Sequence, residues 1–196
     1  MRHPYNTGLG SHEYEWRRRL DGIDYAESER GIVFAHDVCN SLCDYRATLV
    51  MQKAECVYSE LPWKSGWDTF HARAEVQPSG KHEDFVKAVK SLLMMLGKPA
   101  FIVCSKQDAE FLSDKKPCPI MLNGKRAWLA VYNVKDIPQV GDTLNLVRYL
   151  AGTYRSVYDF GCGYGNALRE FEYFVGSDID GKCLKFIEME MLHGRS

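Results

Sequence analysis

The sequence predicts an α/β protein built on a mostly parallel sheet with one antiparallel hairpin at its edge. Three observations lead there. From residue 31 onward, short apolar runs of strand length alternate with segments of helical period, and strands separated by helices pair in parallel. Asn123-Gly124 lies between two apolar runs, and a two-residue turn with both residues at positive φ closes a hairpin. A glycine-rich stretch, 161–165, follows directly on a strand-like run. That places a sharp turn at a strand end, where sheets of this class bind ligands.

The elements follow in order. Residues 1–30 are polar and charged and read as an N-terminal arm or small helix. Within them Trp16 with Arg17, Arg18 and Arg19 is the densest basic cluster beside an aromatic ring; it is either a solvated helix face or a phosphate contact. Gly31–Ala35 is a strand ending in His36-Asp37, and residues 38–52 suit a helix. Cys56–Ser59 is a second strand and runs into Glu60-Leu61-Pro62-Trp63. A loop bearing Gly, Pro and Ser extends to about His82. Glu83–Leu96 places Phe85, Val86, Val89, Leu92, Leu93 and Leu96 on one helical face. Pro99–Cys104 is a third strand, Pro119–Tyr132 the hairpin, and residues 142–153 a helix. Ser156–Phe160 is a strand, Asn166–Phe171 begins a helix, Tyr173–Ser177 is another strand, and the last helix starts near Gly181.

Length and composition narrow the function classes. A chain of 196 residues, 45% hydrophobic and 26% charged, suits one globular domain with its own core, placed here at 31–196. No apolar run is long enough to cross a bilayer, and no apolar signal segment opens the chain, so a cytoplasmic protein without membrane contact is expected. The net charge of -1 offers no overall attraction to a polyanion, so a nucleic-acid partner would need basic groups gathered locally. The seven cysteines are odd in number and form no Cys-x-x-Cys pair, which fits reduced thiols acting as small hydrophobes. Cys39 and Cys43 lie one helical turn apart, but no second pair of ligands completes a metal site.

Two stretches carry chemistry. The first is Val157–Gly165, a strand running into Gly161, Gly163 and Gly165, followed by Gly176–Asp180 at the end of the next strand. Glycines let a ligand approach the backbone closely, helix-terminal amides can meet a polar ligand, and an acid at the next strand end can hold ribose hydroxyls. Asp159 could accept a hydrogen bond from a ligand ammonium group. The second stretch, residues 57–64, contains Glu60-Leu61-Pro62-Trp63 at a strand end. On the residues alone it is either a turn with a packed indole or a site that pairs an acceptor with a stacking surface.

Asp159-Phe-Gly-Cys-Gly-Tyr-Gly165 with Val175-Gly-Ser-Asp-Ile-Asp180 resembles the cofactor motifs of class I, Rossmann-like S-adenosylmethionine methyltransferases. The resemblance implies a seven-stranded sheet and an S-adenosylmethionine site at 157–180. In it Asp159, Phe160, Gly161, Gly163 and Gly165 form the loop, Asp178 binds the ribose, and Ile179 lies beside the adenine. NAD enzymes use Gly-x-Gly-x-x-Gly, which this stretch does not fit. Glu60–Trp63 is similar to the Asp/Asn-Pro-Pro-aromatic motif of amino-group methyltransferases. There the acid and a backbone carbonyl accept hydrogen bonds from an exocyclic amine, and the ring stacks on a flipped base. This sequence has Glu60 for Asp or Asn and Leu61 for the first proline.

The acceptor motif precedes the glycine loop by about one hundred residues, an order that resembles circularly permuted DNA amino-methyltransferases of adenine-specific type, here a small form without a separate target-recognition domain. By that resemblance Asp37 lies near the cofactor adenine, and Glu60, Leu61, Pro62 and Trp63 are catalytic. The implied function is methyl transfer to a nucleobase amine, adenine in DNA, with no metal. RNA or a small nucleotide as acceptor, or a methyltransferase-fold binding protein, is the alternative. Lys64, Trp67, Arg73, Lys81, Arg17 and Arg18 are the candidate nucleic-acid contacts. So sparse a set also suggests a homodimer or a protein partner that supplies recognition.

Overall fold

The computed structural model describes residues 18–20, 23–38 and 45–193. Nine strands form one sheet among them. In chain order these are β1 (Arg18–Leu20), β2 (Ile23–Ser28), β3 (Gly31–Ala35), β4 (Cys56–Glu60), β5 (Ala100–Cys104), β6 (Cys118–Leu122), β7 (Lys125–Tyr132), β8 (Ser156–Phe160) and β9 (Tyr173–Asp178). Their spatial order is β1-β2-β3-β9-β8-β4-β5-β7-β6. The five central strands, β3 to β5 in that order, pair in parallel. Antiparallel strands flank them on both sides.

The described helices are α1 (Tyr45–Met51), α2 (Trp67–Ala74), α3 (His82–Leu96), α4 (Lys106–Leu112), α5 (Thr143–Thr153) and α6 (Gly181–Ile187). Strand residues alternate between two apolar layers because successive side chains point to opposite faces. One layer gathers Ile32, Val57, Ile102, Tyr158 and Val175 with apolar residues of α1 to α4. The other gathers Val33, Tyr58, Val157 and Phe174 with residues of α5 and α6. The parallel strands are therefore covered on both faces, which is why β3, β5 and β8 are buried along their whole length.

The hairpin forms as its turn chemistry requires, with Asn123 at φ 49° and Gly124 at φ 75°. Four expectations need correction. The sheet has nine strands where seven were expected, because residues 18–28 add two antiparallel strands to a second edge. That part of the predicted arm or helix is strand: Tyr25 packs on one apolar layer and Ala26 is buried in the other, the alternation of a strand. The expected loop 64–82 contains α2. The helix predicted at 166–171 is only a 3-10 turn, Leu168–Glu170. Seven residues separate the glycine turn from β9, too few to hold an α-helix and also the chain that leads into the strand.

No described helix is long and apolar enough to cross a membrane. Trp16, Arg17, Cys39 and Cys43 lie outside the described residues, as do the side chains of Arg18 and Arg19.

Candidate functional site

The chain leaves β8 toward β9 on one side of the sheet and leaves β4 toward β5 on the other. The gap between β4 and β8 is thus a topological switch point, and crevices at the carboxyl ends of such strand pairs are where open α/β sheets hold ligands. The two chemistry-bearing stretches end there together. Tyr58 pairs in register with Asp159, so Glu60 and Gly161 emerge side by side. Ser59 Oγ donates to the Phe160 carbonyl at 2.5 Å and ties the two ends.

Strand alternation puts three carboxylates on one face of this edge. Glu60 is two residues beyond Tyr58, Asp159 faces Tyr58 across the ladder, and Asp178 is two residues beyond Gly176, the partner of Asp159. Burial pushes the Asp159 carboxyl well above the usual range, and the charges of Glu60 and Asp178 push it further. Burial also raises Asp178, to about 6, against the lowering effect of the backbone amides it accepts. Those amides are Gly163 N and Asp180 N, each at 2.8 Å. Asp178 therefore holds the glycine turn closed and keeps only its remaining lone pairs for a ligand.

Two cavities open at this edge. The first, about 220 Å³, is lined by aromatic and apolar groups including Leu61, Pro62, Trp63, Trp67, Phe70 and Phe160, together with His36, Asp37, His71, Asp178 and Ile179. The second, about 460 Å³, lies between the glycine turn, α5 and the hairpin tip, against Tyr58, Asp159, Gly163, Asn123 and Leu144. Glu60 and Gly161 line both. Among the described residues, neither lining contains a Lys or Arg.

The glycines divide by role. Gly161 sits at φ 67°, and a Cβ there would meet none of the described atoms within 4 Å, so its side faces open space. Gly165, at φ 73°, lines neither cavity; a Cβ there would lie 2.7 Å from the Met191 sulfur. Gly165 packs against Ile187 and Met191. The amides the turn could offer a ligand come from the loop itself, since a 3-10 turn stands where the helix terminus was expected. Cys162 within the turn is buried, and burial together with Asp178 and Asp159 pushes its thiol up, which keeps it a neutral thiol.

The acceptor segment is held from below. Leu61 N donates to the Val103 carbonyl at 2.9 Å, extending the β4–β5 ladder by one residue. His82 Nε2 lies 2.9 Å from the Pro62 carbonyl, and Gly66 N donates to Trp63 O at 2.8 Å. Trp63 itself remains 37% exposed.

The candidate nucleic-acid contacts are less well gathered. Trp67 is buried, its indole N–H donating to Gly80 O at 3.2 Å and its ring packed on His71 and Phe85. As the opening residue of α2 it is a wall of the first cavity and not a surface contact. Lys64 is ion-paired with Glu83, while Arg73 and Lys81 are exposed. Asp37 lines the first cavity, where its carboxylate accepts Ser79 Oγ–H.

Tyr58, His36, Phe70, Leu122 and Asn123 line the site although the sequence did not assign them to it. Tyr58 had a readable signal, being two residues before Glu60 on one strand. The others reach the site only through long-range packing.

No family model and no curated protein matches the sequence. Among solved structures, a proposed DNA modification methylase from Thermus thermophilus superposes with a TM-score of 0.49 at 10% identity, covering 81% of this chain and 92% of that one.

Proposed function

We propose that this protein transfers a methyl group from S-adenosylmethionine to the exocyclic amine of a nucleobase, with adenine in DNA as the acceptor, on a circularly permuted methyltransferase sheet. One observation carries the reading: an aromatic and an acidic cavity meet at Glu60 and Gly161, the ends of two adjacent parallel strands. The donor's sulfonium and ammonium groups make it a cationic ligand, and five acids line these cavities: Asp37, Glu60, Asp159, Glu170 and Asp178. A phosphate-bearing cofactor would enter that field with no Lys or Arg of the described linings to receive it.

In this reading Asp159 holds the ammonium end, Asp178 and Ile179 the ribose and adenine, and Asp37 borders the adenine. The open side of Gly161 lets the donor lie against the backbone. When bound, the cofactor supplies an electrophilic methyl carbon whose bond to sulfur breaks toward the sulfur as the amine nitrogen bonds to it. Glu60 accepts an amine hydrogen before transfer and takes the proton released after it. The Leu61 or Pro62 carbonyl is the second acceptor, and because His82 already occupies Pro62 O, Leu61 O is the better placed. Trp63 stacks on the base. Fixed acceptors matter because an aromatic amine is a weak nucleophile, and its alignment with the methyl carbon sets the rate.

Incubation with methyl-labelled donor and duplex DNA, RNA or free nucleosides tests this. Label on adenine N6 of DNA is the expected result. Label only in RNA or nucleosides moves the acceptor class, and cofactor binding without transfer to any nucleobase contradicts the reading.

A further inference from the structure

Glu60 carries one methylene more than the aspartate of the motif it resembles, so its carboxylate has one more torsion to fix. The structure supplies an outside restraint. Tyr58 lies two residues earlier on β4, on the same face, and its Oη donates to Glu60 Oε1 at 2.6 Å. The ring is 2% exposed and seated in the layer shared with Val157 and Leu146, so packing fixes the donor before any substrate arrives. Burial and the neighbouring Glu60 charge push the phenol well above its usual range, which keeps it a donor. Oxygen–oxygen bonds to a carboxylate at this length are strong, charge-assisted ones.

We propose that Tyr58 is the positioning residue of Glu60: it anchors one carboxylate oxygen and leaves the other as the acceptor for the amine hydrogen. The inference rests on the methyltransferase reading. It adds that a tyrosine–glutamate pair does here what a shorter, stiffer aspartate does in the family the motif resembles. The opposing account is that Glu60 merely satisfies a buried hydroxyl, in which case the pair matters for folding and not for transfer.

A double-mutant cycle separates these accounts. Tyr58→Phe keeps the ring and removes the donor. It is expected to lower kcat about 10- to 100-fold, with acceptor KM and the Kd for S-adenosylhomocysteine changed by less than about threefold. In the Glu60→Gln background the same change should alter kcat less than about twofold, since its effect passes through the missing carboxylate. In the Glu60→Asp background, where the carboxylate no longer reaches Tyr58 Oη, it should also be nearly silent. Multiplicative losses in these backgrounds, or an unchanged kcat for Tyr58→Phe, overturn the inference while leaving methyl transfer standing. A wild-type protein that methylates no nucleobase overturns the parent reading and this one with it. Should Tyr58→Phe fold poorly, 3,5-difluorotyrosine at position 58, which keeps the ring and the hydroxyl but changes its donor strength, gives the second reading: a shifted kcat with unchanged KM is expected, and an unchanged kcat contradicts the proposal.

Discussion

The two cavities share Glu60 and Gly161, and carboxylates line both, but only the first is ringed by aromatic side chains. The first is ringed by Trp63, Trp67, Phe70 and Phe160, side chains of the layer shared with α1 to α4 or of its rim. The second presents Asp159, the glycine turn and Glu170, with Leu144 and Val147 of α5 as its main apolar contribution. Aromatic surface suits flat, neutral rings. A buried carboxylate is different. Asp159 is only 4% exposed, and both it and Asp178 are less easily ionised in the fold than in an unfolded chain. The buried carboxylates, Asp178 in the first cavity and Asp159 in the second, therefore oppose folding at neutral pH until a cation arrives, while the aromatic walls do not.

The sharpest break in that comparison comes at Asp159. Asp159→Asn should weaken S-adenosylmethionine binding about 10- to 100-fold, the scale of a lost charged hydrogen bond. It should leave an adenosine fragment's affinity nearly unchanged. The same variant should stabilise the empty protein. A carboxyl with a raised folded pKa binds more protons folded than unfolded between its two pKa values, so stability falls as pH rises through that window. For Asp178 the window runs from the ordinary 3.8 to about 6, and a two-unit shift corresponds to about 3 kcal/mol as an upper bound. Asp159 adds to the fall over its own raised range. Unfolding of wild type and Asp159→Asn between pH 4 and 8 should show a gap that opens with pH in favour of the variant. A constant gap contradicts the assignment of Asp159 as the group held against ionisation.

A smaller effect sharpens the contrast within the glycine turn. Gly165→Ala forces a Cβ toward Met191 and Ile187 at positive φ and should destabilise the protein by about 1–3 kcal/mol. Once folded, its cofactor affinity should be close to wild type. Gly161→Ala meets no described neighbour; its strain of about 1 kcal/mol leaves the fold standing, while the methyl group enters the space shared by both cavities and lowers affinity. Thermal unfolding and calorimetry on both variants check the division. Equal affinity losses would mean that Gly165 also faces ligand.

Much of this was legible from local pattern. The five parallel strands, the Asn123-Gly124 hairpin, α3 and α5 follow from short-range periodicity and turn chemistry, and the structure has them within a residue or two of expectation. What pattern misses is length against context. Residues 166–171 have helical composition but too little room before β9, and residues 18–28 become strands only because β3 offers an edge. The sequence-derived site divides the same way. Glu60, Trp63, Gly161 and Asp178 come together because strand order brings them, whereas Trp67 turns inward and Gly165 packs on the segment after α6. His36, just after β3, lines the first cavity and had no local signature.

The central claim is that two unlike cavities accept one cationic donor across Gly161. Isothermal calorimetry of the full chain at pH 7.5 against S-adenosylmethionine, NAD and ATP tests it directly. Saturable, one-to-one binding of S-adenosylmethionine that weakens as pH falls through 6 is expected, with no measurable heat from NAD or ATP. Tighter binding of either phosphate-bearing ligand, or none of S-adenosylmethionine at any pH, would contradict it.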